Sequence, residues 1–186
     1  MTRSILLLLC LISFNLFSQS VGVGGSIEAG IFGQNQQFSF GPGIKFNIPL
    51  EPSFKLATTV KFLFTEFDGI AGGNSGLVTQ FNFAVVFSPF NGSTSPFVSL
   101  GVGYNINSLH QNGSTPGDFR IDNSLGYVIQ TGVLFSPGKS LSFLLDLDYS
   151  FQNPDYHSTN YVTEESRGGD LDLSLVSLGF GAMFNF

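Results

Sequence analysis

Two fragments of this 186-residue chain put acids and a histidine close enough in sequence for general acid–base work. Glu66-Phe67-Asp68 sets two carboxylates at alternate positions, and Asp155-Tyr156-His157 sets a carboxylate and an imidazole at the same spacing. A histidine steadied by an aspartate can accept a proton from water or a hydroxyl, and an acid pair can hold the attacking water. His157-Ser158, or His110 with Ser114, would add a hydroxyl nucleophile. All these residues lie in polar segments where solvated His, Ser and Asp are ordinary, so they read as loop residues; hydrolysis is kept as the alternative function. Gly168-Gly169-Asp170-Leu171-Asp172 has the start of a calcium-binding repeat, but it occurs once and lacks the next glycine. It reads as loop charge. Cys10 is the single cysteine, and beyond it no thiolate, disulfide or cysteine metal site can form. No catalytic, cofactor or metal site is therefore assigned.

The elements that would hold these residues are unusual. Met1-Thr2-Arg3 is a short positive start, Ile5 to Phe17 is nearly all apolar, and Ser18-Gln19-Ser20 supplies small residues ahead of Val21. That pattern predicts a cleavable secretion signal over residues 1–20 and a single domain over 21–186. Leu9 precedes Cys10 and the apolar run continues beyond it, so Cys10 reads as part of the signal rather than a lipidation site. Charged residues make up 11% of the chain, against about 25% in ordinary soluble domains. Beyond the signal, no run approaches the ~20 apolar residues of a helical span. The net charge of −6 moves to −7 without Arg3, which argues against nucleic acid as a partner.

With 22 Phe and 23 Gly, the chain reads as strands that are apolar on one face and small or polar on the other. Eight are expected: 21–32, 38–48, 54–64, 77–88, 97–106, 124–136, 141–152 and 171–186, separated by proline and glycine clusters. In the seventh, Leu141, Phe143, Leu145, Leu147, Tyr149 and Phe151 share one face; Ser142, Asp146, Asp148, Ser150 and Gln152 share the other, with Leu144 the exception. The second, fourth and sixth connections are short and contain Pro49, Pro89 and Pro137, whereas the third, fifth and seventh are long and polar. Short turns on one side and long loops on the other are the mark of a transmembrane β-barrel, the short side being periplasmic. Tyr104, Tyr127, Tyr149, Tyr156 and Tyr161 then fall at the outer ends. Phe46, Phe54, Phe87, Phe135 and Phe184 fall at the inner ends, giving two aromatic girdles.

The polar face projects Glu28, Lys45, Lys55, Lys61, Asp146 and Asp148 into the lumen, three charges of each sign. An eight-stranded barrel is just wide enough for side chains to fill. Unpaired charges in so narrow a space are costly, so balanced signs predict a paired network filling the lumen rather than an ion path. Glu28 and Lys45, on the first two strands, are expected to lie nearly opposite one another. The outer loops are acidic: Glu66, Asp68, Asp118, Asp122, Asp155, Glu164, Glu165, Asp170 and Asp172 face only Arg120 and Arg167.

The closing residues Gly179-Phe180-Gly181-Ala182-Met183-Phe184-Asn185-Phe186 resemble the C-terminal insertion signal of bacterial outer-membrane barrels. Gly181, Phe184 and Phe186 match it, while Gly179 stands where a polar residue is usual. The mature chain as a whole is similar in topology to the small single-domain OmpA/OmpX-type barrels. The resemblance implies an all-β, eight-stranded antiparallel barrel in the outer membrane of a Gram-negative bacterium. It implies contact with membrane lipid and lipopolysaccharide, and with the barrel-assembly machinery through the last strand. It also implies a monomer with a structural or interaction role and no enzymatic activity. The acid pair and the Asp-x-His pair resemble the catalytic grouping of omptin proteases, and the His–Ser pairs that of lipid A-modifying hydrolases. Omptins, however, have ten strands, and Glu66 departs from their acid pair.

Overall fold

The computed structural model describes residues 21–33, 37–67, 74–90, 92–110, 117–138, 140–160, 163 and 165–186. Eight strands run the length of the molecule: β1 (Gly22–Phe32), β2 (Gln37–Glu51), β3 (Phe54–Phe67), β4 (Asn74–Phe87), β5 (Thr94–His110), β7 (Ser124–Phe135), β8 (Leu141–Phe151) and β11 (Leu175–Asn185). Each pairs antiparallel with its neighbours in chain order, and β11 closes on β1 from Gly22↔Asn185 to Phe32↔Leu175. Closure removes every free edge that an open sheet of this length would expose.

Alternation along the strands decides what faces in and what faces out. Ile27 (70% exposed), Leu100 (64%), Phe83, Ile129, Leu145 and Leu178 form part of a band of large apolar side chains around the barrel exterior. The lumen face carries Ser, Asn, Gln, Gly and the charged residues, nearly all buried. An apolar belt of that extent is stable only against lipid. Tyr104, Tyr127 and Tyr149 are exposed on the outer half, and at the inner end Phe54 and Phe87 are tilted against each other at 5.1 Å between ring centroids.

The connections on the outer side depart from the sequence expectation. Segments read as loops contain β6 (Gly117–Ile121), β9 (Asp155–Asn160) and β10 (Glu165–Asp170), which form a separate three-stranded sheet in the order β10-β9-β6. The β6–β9 pairing joins residues that lie far apart in the chain, Ile121 with Tyr156 for instance, so no local pattern announces it, while β9 and β10 form a local hairpin. The last barrel strand begins at Leu175 rather than Leu171; the extended segment before it folds inward, with Leu171 and Leu173 buried. Tyr156 does not join the outer girdle, since it packs on Phe119 at 5.9 Å inside this cap. Residues 1–20, Asp68, Ser114, Tyr161 and Glu164, and the side chains of His110 and Glu165, lie outside the described residues.

Candidate functional site in the lumen and at its outer mouth

The contents of the lumen change along the barrel axis. The middle layer is ionic. Lys45 Nζ lies 3.3 Å from Glu28 Oε1 and also bonds Asp146; Lys61 Nζ donates to Glu28 Oε2 at 3.0 Å, to Ser177 Oγ at 3.2 Å and to Asp148. Each lysine thus bridges two carboxylates, and Glu28, with 0% of its side chain exposed, is shared by both. Oxygens of Glu28, Asp146 and Asp148 lie within 4.8 Å of one another, a spacing that a cation could span. Here the two ammonium groups occupy that role.

Of the six predicted lumen charges, the structure brings five together and leaves Lys55 apart. No carboxylate of a described residue comes within 4.0 Å of Lys55. The expected register is also corrected: Glu28 stands opposite Gly41, and Lys45 opposite Gly24. The pair still forms because Gly43, on the lumen face between them, leaves room. A Cβ there would sit 2.5 Å from Ser26 Oγ and 3.4 Å from Glu28 Oε1. Ser26 uses that space to donate to Glu28 Oε1 at 2.7 Å. Gly179, directly opposite Glu28 on the adjacent β11, has the same role, since a Cβ there would lie 2.2 Å from Asp146 Oδ1 and 2.7 Å from Glu28 Oε2.

Around the ionic layer runs an amide and hydroxyl chain. Gln80 Nε2 donates to Ser150 Oγ (3.1 Å), Gln152 Nε2 to the same hydroxyl (3.0 Å), Ser124 Oγ to Gln152 Oε1 (3.0 Å), and Asn105 to that same oxygen. Toward the outside the chemistry turns apolar. Phe32, Leu63, Val78 and Leu175 from the barrel meet Phe119, Ile121, Leu171 and Leu173 from the cap, all buried in one cluster. Sequence reasoning missed this layer, although Leu63 and Val78 interrupt polar faces and Leu171, Leu173 and Leu175 alternate. At the inner end lies a cavity open to solvent between the ionic layer and the short turns; its empty space, with the open solvent at its mouth included, is about 440 Å³. The lumen is therefore not filled along its whole length.

On the cap, His157 Nε2 lies 3.5 Å from Asp122 Oδ2, and Arg120 Nε lies 3.1 Å from Asp122 Oδ1. The histidine's acid partner is thus Asp122, not Asp155. Asp155 instead stands directly opposite Asp170 in the β9–β10 register, and Asp122 is joined to Asp155 through the backbone (2.9 Å). The calcium-like run is divided by this fold. Asp170 ends β10 on the surface, whereas Asp172 turns back to accept the Ser174 N–H at 2.8 Å.

The closed eight-stranded barrel, its apolar belt and its polar lumen define a small β-barrel protein of the outer membrane. The fold is similar to that of OprG from Pseudomonas aeruginosa (TM-score 0.77, 12% identity, covering 90% of this chain and 96% of that one). It is also similar to Neisserial surface protein A (0.65, 13%, 90% and 96%) and to Ail, the attachment invasion locus protein of Yersinia pestis (0.55, 13%, 90% and 97%). At these identities the likeness is one of fold. The chain matches no protein-family model, and no curated protein matches it in sequence.

Proposed function

We propose that this protein is a closed, non-enzymatic barrel that displays an acidic, braced surface outside the outer membrane. The observation that carries this reading is the row of aspartates across the cap. Asp155 and Asp170 face each other in register, and Asp122 adjoins them. Like charges directly opposite on a sheet are destabilising, and retaining them makes sense where the surface has to attract cations or a basic partner. The apolar cluster beneath ties the cap to the barrel, so the row is held in a fixed place. Ail has been crystallised with the heparin analogue sucrose octasulfate; a polyanion of that kind does not suit this acidic face. Proteoliposomes carrying the protein should bind a fluorescent oligolysine in a salt-sensitive way, and Asp155→Asn with Asp170→Asn should abolish most of that binding. Unchanged binding would overturn the reading. The ionic layer and the apolar cluster would block conduction, so planar bilayers should record no steady single-channel current.

Residues 1–20 act on this reading as the secretion signal, and 21–186 as a monomeric domain in contact with lipid and lipopolysaccharide. Gly181, Phe184 and Phe186 would be read by the assembly machinery. Phe184 and Phe186 point outward, and a Cβ at Gly181 would sit 2.6 Å from the Gly25 carbonyl oxygen. Phe186→Ser should lower the amount of folded, heat-modifiable barrel in the membrane without changing synthesis. The alternative, a hydrolase at the outer rim, draws on the His157–Asp122 contact. A protease or lipid A-modifying activity lost in His157→Ala would favour it.

A further inference from the structure

The inner cavity has a chemistry that a water-filled vestibule does not need. The ionic and amide layers above it are polar, but here Val86, Phe97, Leu134 and Leu144 turn inward along the cavity wall. The Phe97 ring has room because its cross-strand partner is Gly132, where a Cβ would come within 2.8 Å of the ring. Leu144, the residue that breaks the alternation of β8, belongs to the same wall. Water against these side chains is unfavourable, whereas an alkyl chain would satisfy them. The same cavity carries Lys55, the lumen cation with no carboxylate within 4.0 Å among the described residues. Gln130 is also on the lining; its amide oxygen takes the Ser99 hydroxyl at 3.3 Å, so its N–H groups remain able to donate. Lys45 also lines the space, but its charge is committed to Glu28 and Asp146, which puts the ionic layer at the cavity's blind end.

We infer that this cavity is a binding site for a single-chain amphiphile with a carboxylate head, entered from the side of the short turns. Lys55 and Gln130 would receive the head, and the Val86, Phe97, Leu134 and Leu144 wall the chain. The ionic layer makes the site a pocket rather than a passage.

The test is a titration of the full chain in phosphatidylcholine nanodiscs with dodecanoate, followed by methyl resonances of Val and Leu. Saturable shifts are expected at Val86, Leu134 and Leu144, over and above any change at the lipid-facing Leu100 and Leu145. Dodecanol, which keeps the chain but lacks the charge, should bind about tenfold more weakly or worse, as should dodecanoate to Lys55→Met, while Lys55→Arg keeps most of the affinity. Inorganic phosphate alone should bind far more weakly than dodecanoate. Shifts confined to lipid-facing methyls, equal affinity for dodecanoate and dodecanol, or phosphate binding as tight as dodecanoate would each overturn the inference. The comparison of ligands uses the unaltered chain, so it stands even where a Lys55 variant fails to fold.

Discussion

Glu28 and Asp122 are each an acid set between two nitrogen-bearing side chains, and they differ in their surroundings. Glu28 lies in the lumen between Lys45 and Lys61 with none of its side chain exposed; Asp122 lies on the cap between Arg120 and His157 with 35% of its side chain exposed. In the lumen, water cannot replace a missing partner, so each contact there is something the other charges depend on. On the cap, water and salt do replace it, so the same arrangement contributes little to stability and remains free to meet a ligand. The barrel thus separates its charges by task. Those inside hold strands together, and those outside set the field that a partner meets.

The lumen network is most vulnerable at Glu28. Glu28→Ala leaves Lys45 with Asp146 alone and Lys61 with Asp148 alone, in a space too narrow for solvent to make good the loss. Unfolding in urea should show a destabilisation of about 3–5 kcal/mol, from the two lysine contacts and the Ser26 hydrogen bond lost together. Lys45→Ala should also destabilise, and the double variant should recover part of the summed loss because the two contact each other at 3.3 Å. Strict additivity would mean that the contact carries no coupling.

The layer above the ionic one sharpens the contrast from the apolar side. Leu173 is buried among Phe32, Leu63, Leu175 and the cap residues, so Leu173→Ala should cost about 2–3 kcal/mol, the cap closing over part of the void. It should also loosen the outer sheet, seen as faster amide exchange in β6 and β9 with little change in β1. Uniform protection in both places would mean that the cap is not anchored by this cluster.

Gly179→Ala tests how tightly the ionic layer is packed. The added methyl would meet Asp146 Oδ1 and both oxygens of Glu28, so about 1–2 kcal/mol should be lost. Gly138→Ala, in a turn with nothing within 4 Å of a new Cβ, is the control and should be near neutral. This crowding also gives a physical reason for the departure of Gly179 from the insertion pattern, where a polar residue is usual. Any side chain at that place would displace the acids that Lys45 and Lys61 hold.

Much of this was legible because a barrel strand obeys a period of two. The alternation of β8 told Asp146 and Asp148 from Leu145 and Leu147, and proline turns marked the strand ends to within a few residues. Register was less legible. Glu28 was expected opposite Lys45, yet it stands opposite Gly41, and the contact survives because a lysine reaches diagonally across a lumen lined with glycine. The isolation of Lys55 could not be read from a balance of signs, which says how many charges face inward but not at what depth. The cap could not be read at all. Its strands are short, rich in Ser, Gly and Asp, and held by pairing across the chain with an apolar cluster beneath, none of which leaves a periodic trace in residues 117–121 or 155–170.

The smallest expected effect lies at Asp122, and it decides whether the comparison holds. Asp122→Ala removes an acid shared by Arg120 and His157, just as Glu28→Ala removes one shared by both lysines. Arg120 and His157, however, are 74% and 63% exposed, so each can turn to solvent at little cost. Exposed pairs of this kind contribute about 0.2–1 kcal/mol, less in salt. The variant should therefore unfold within ~1 kcal/mol of the parent, and raising the salt concentration should erase most of that gap. The loss at Glu28, screened far less, should persist. A loss at Asp122 of several kcal/mol that persists in high salt would show the cap acid to be structural. The division of charges between inside and outside would then fail.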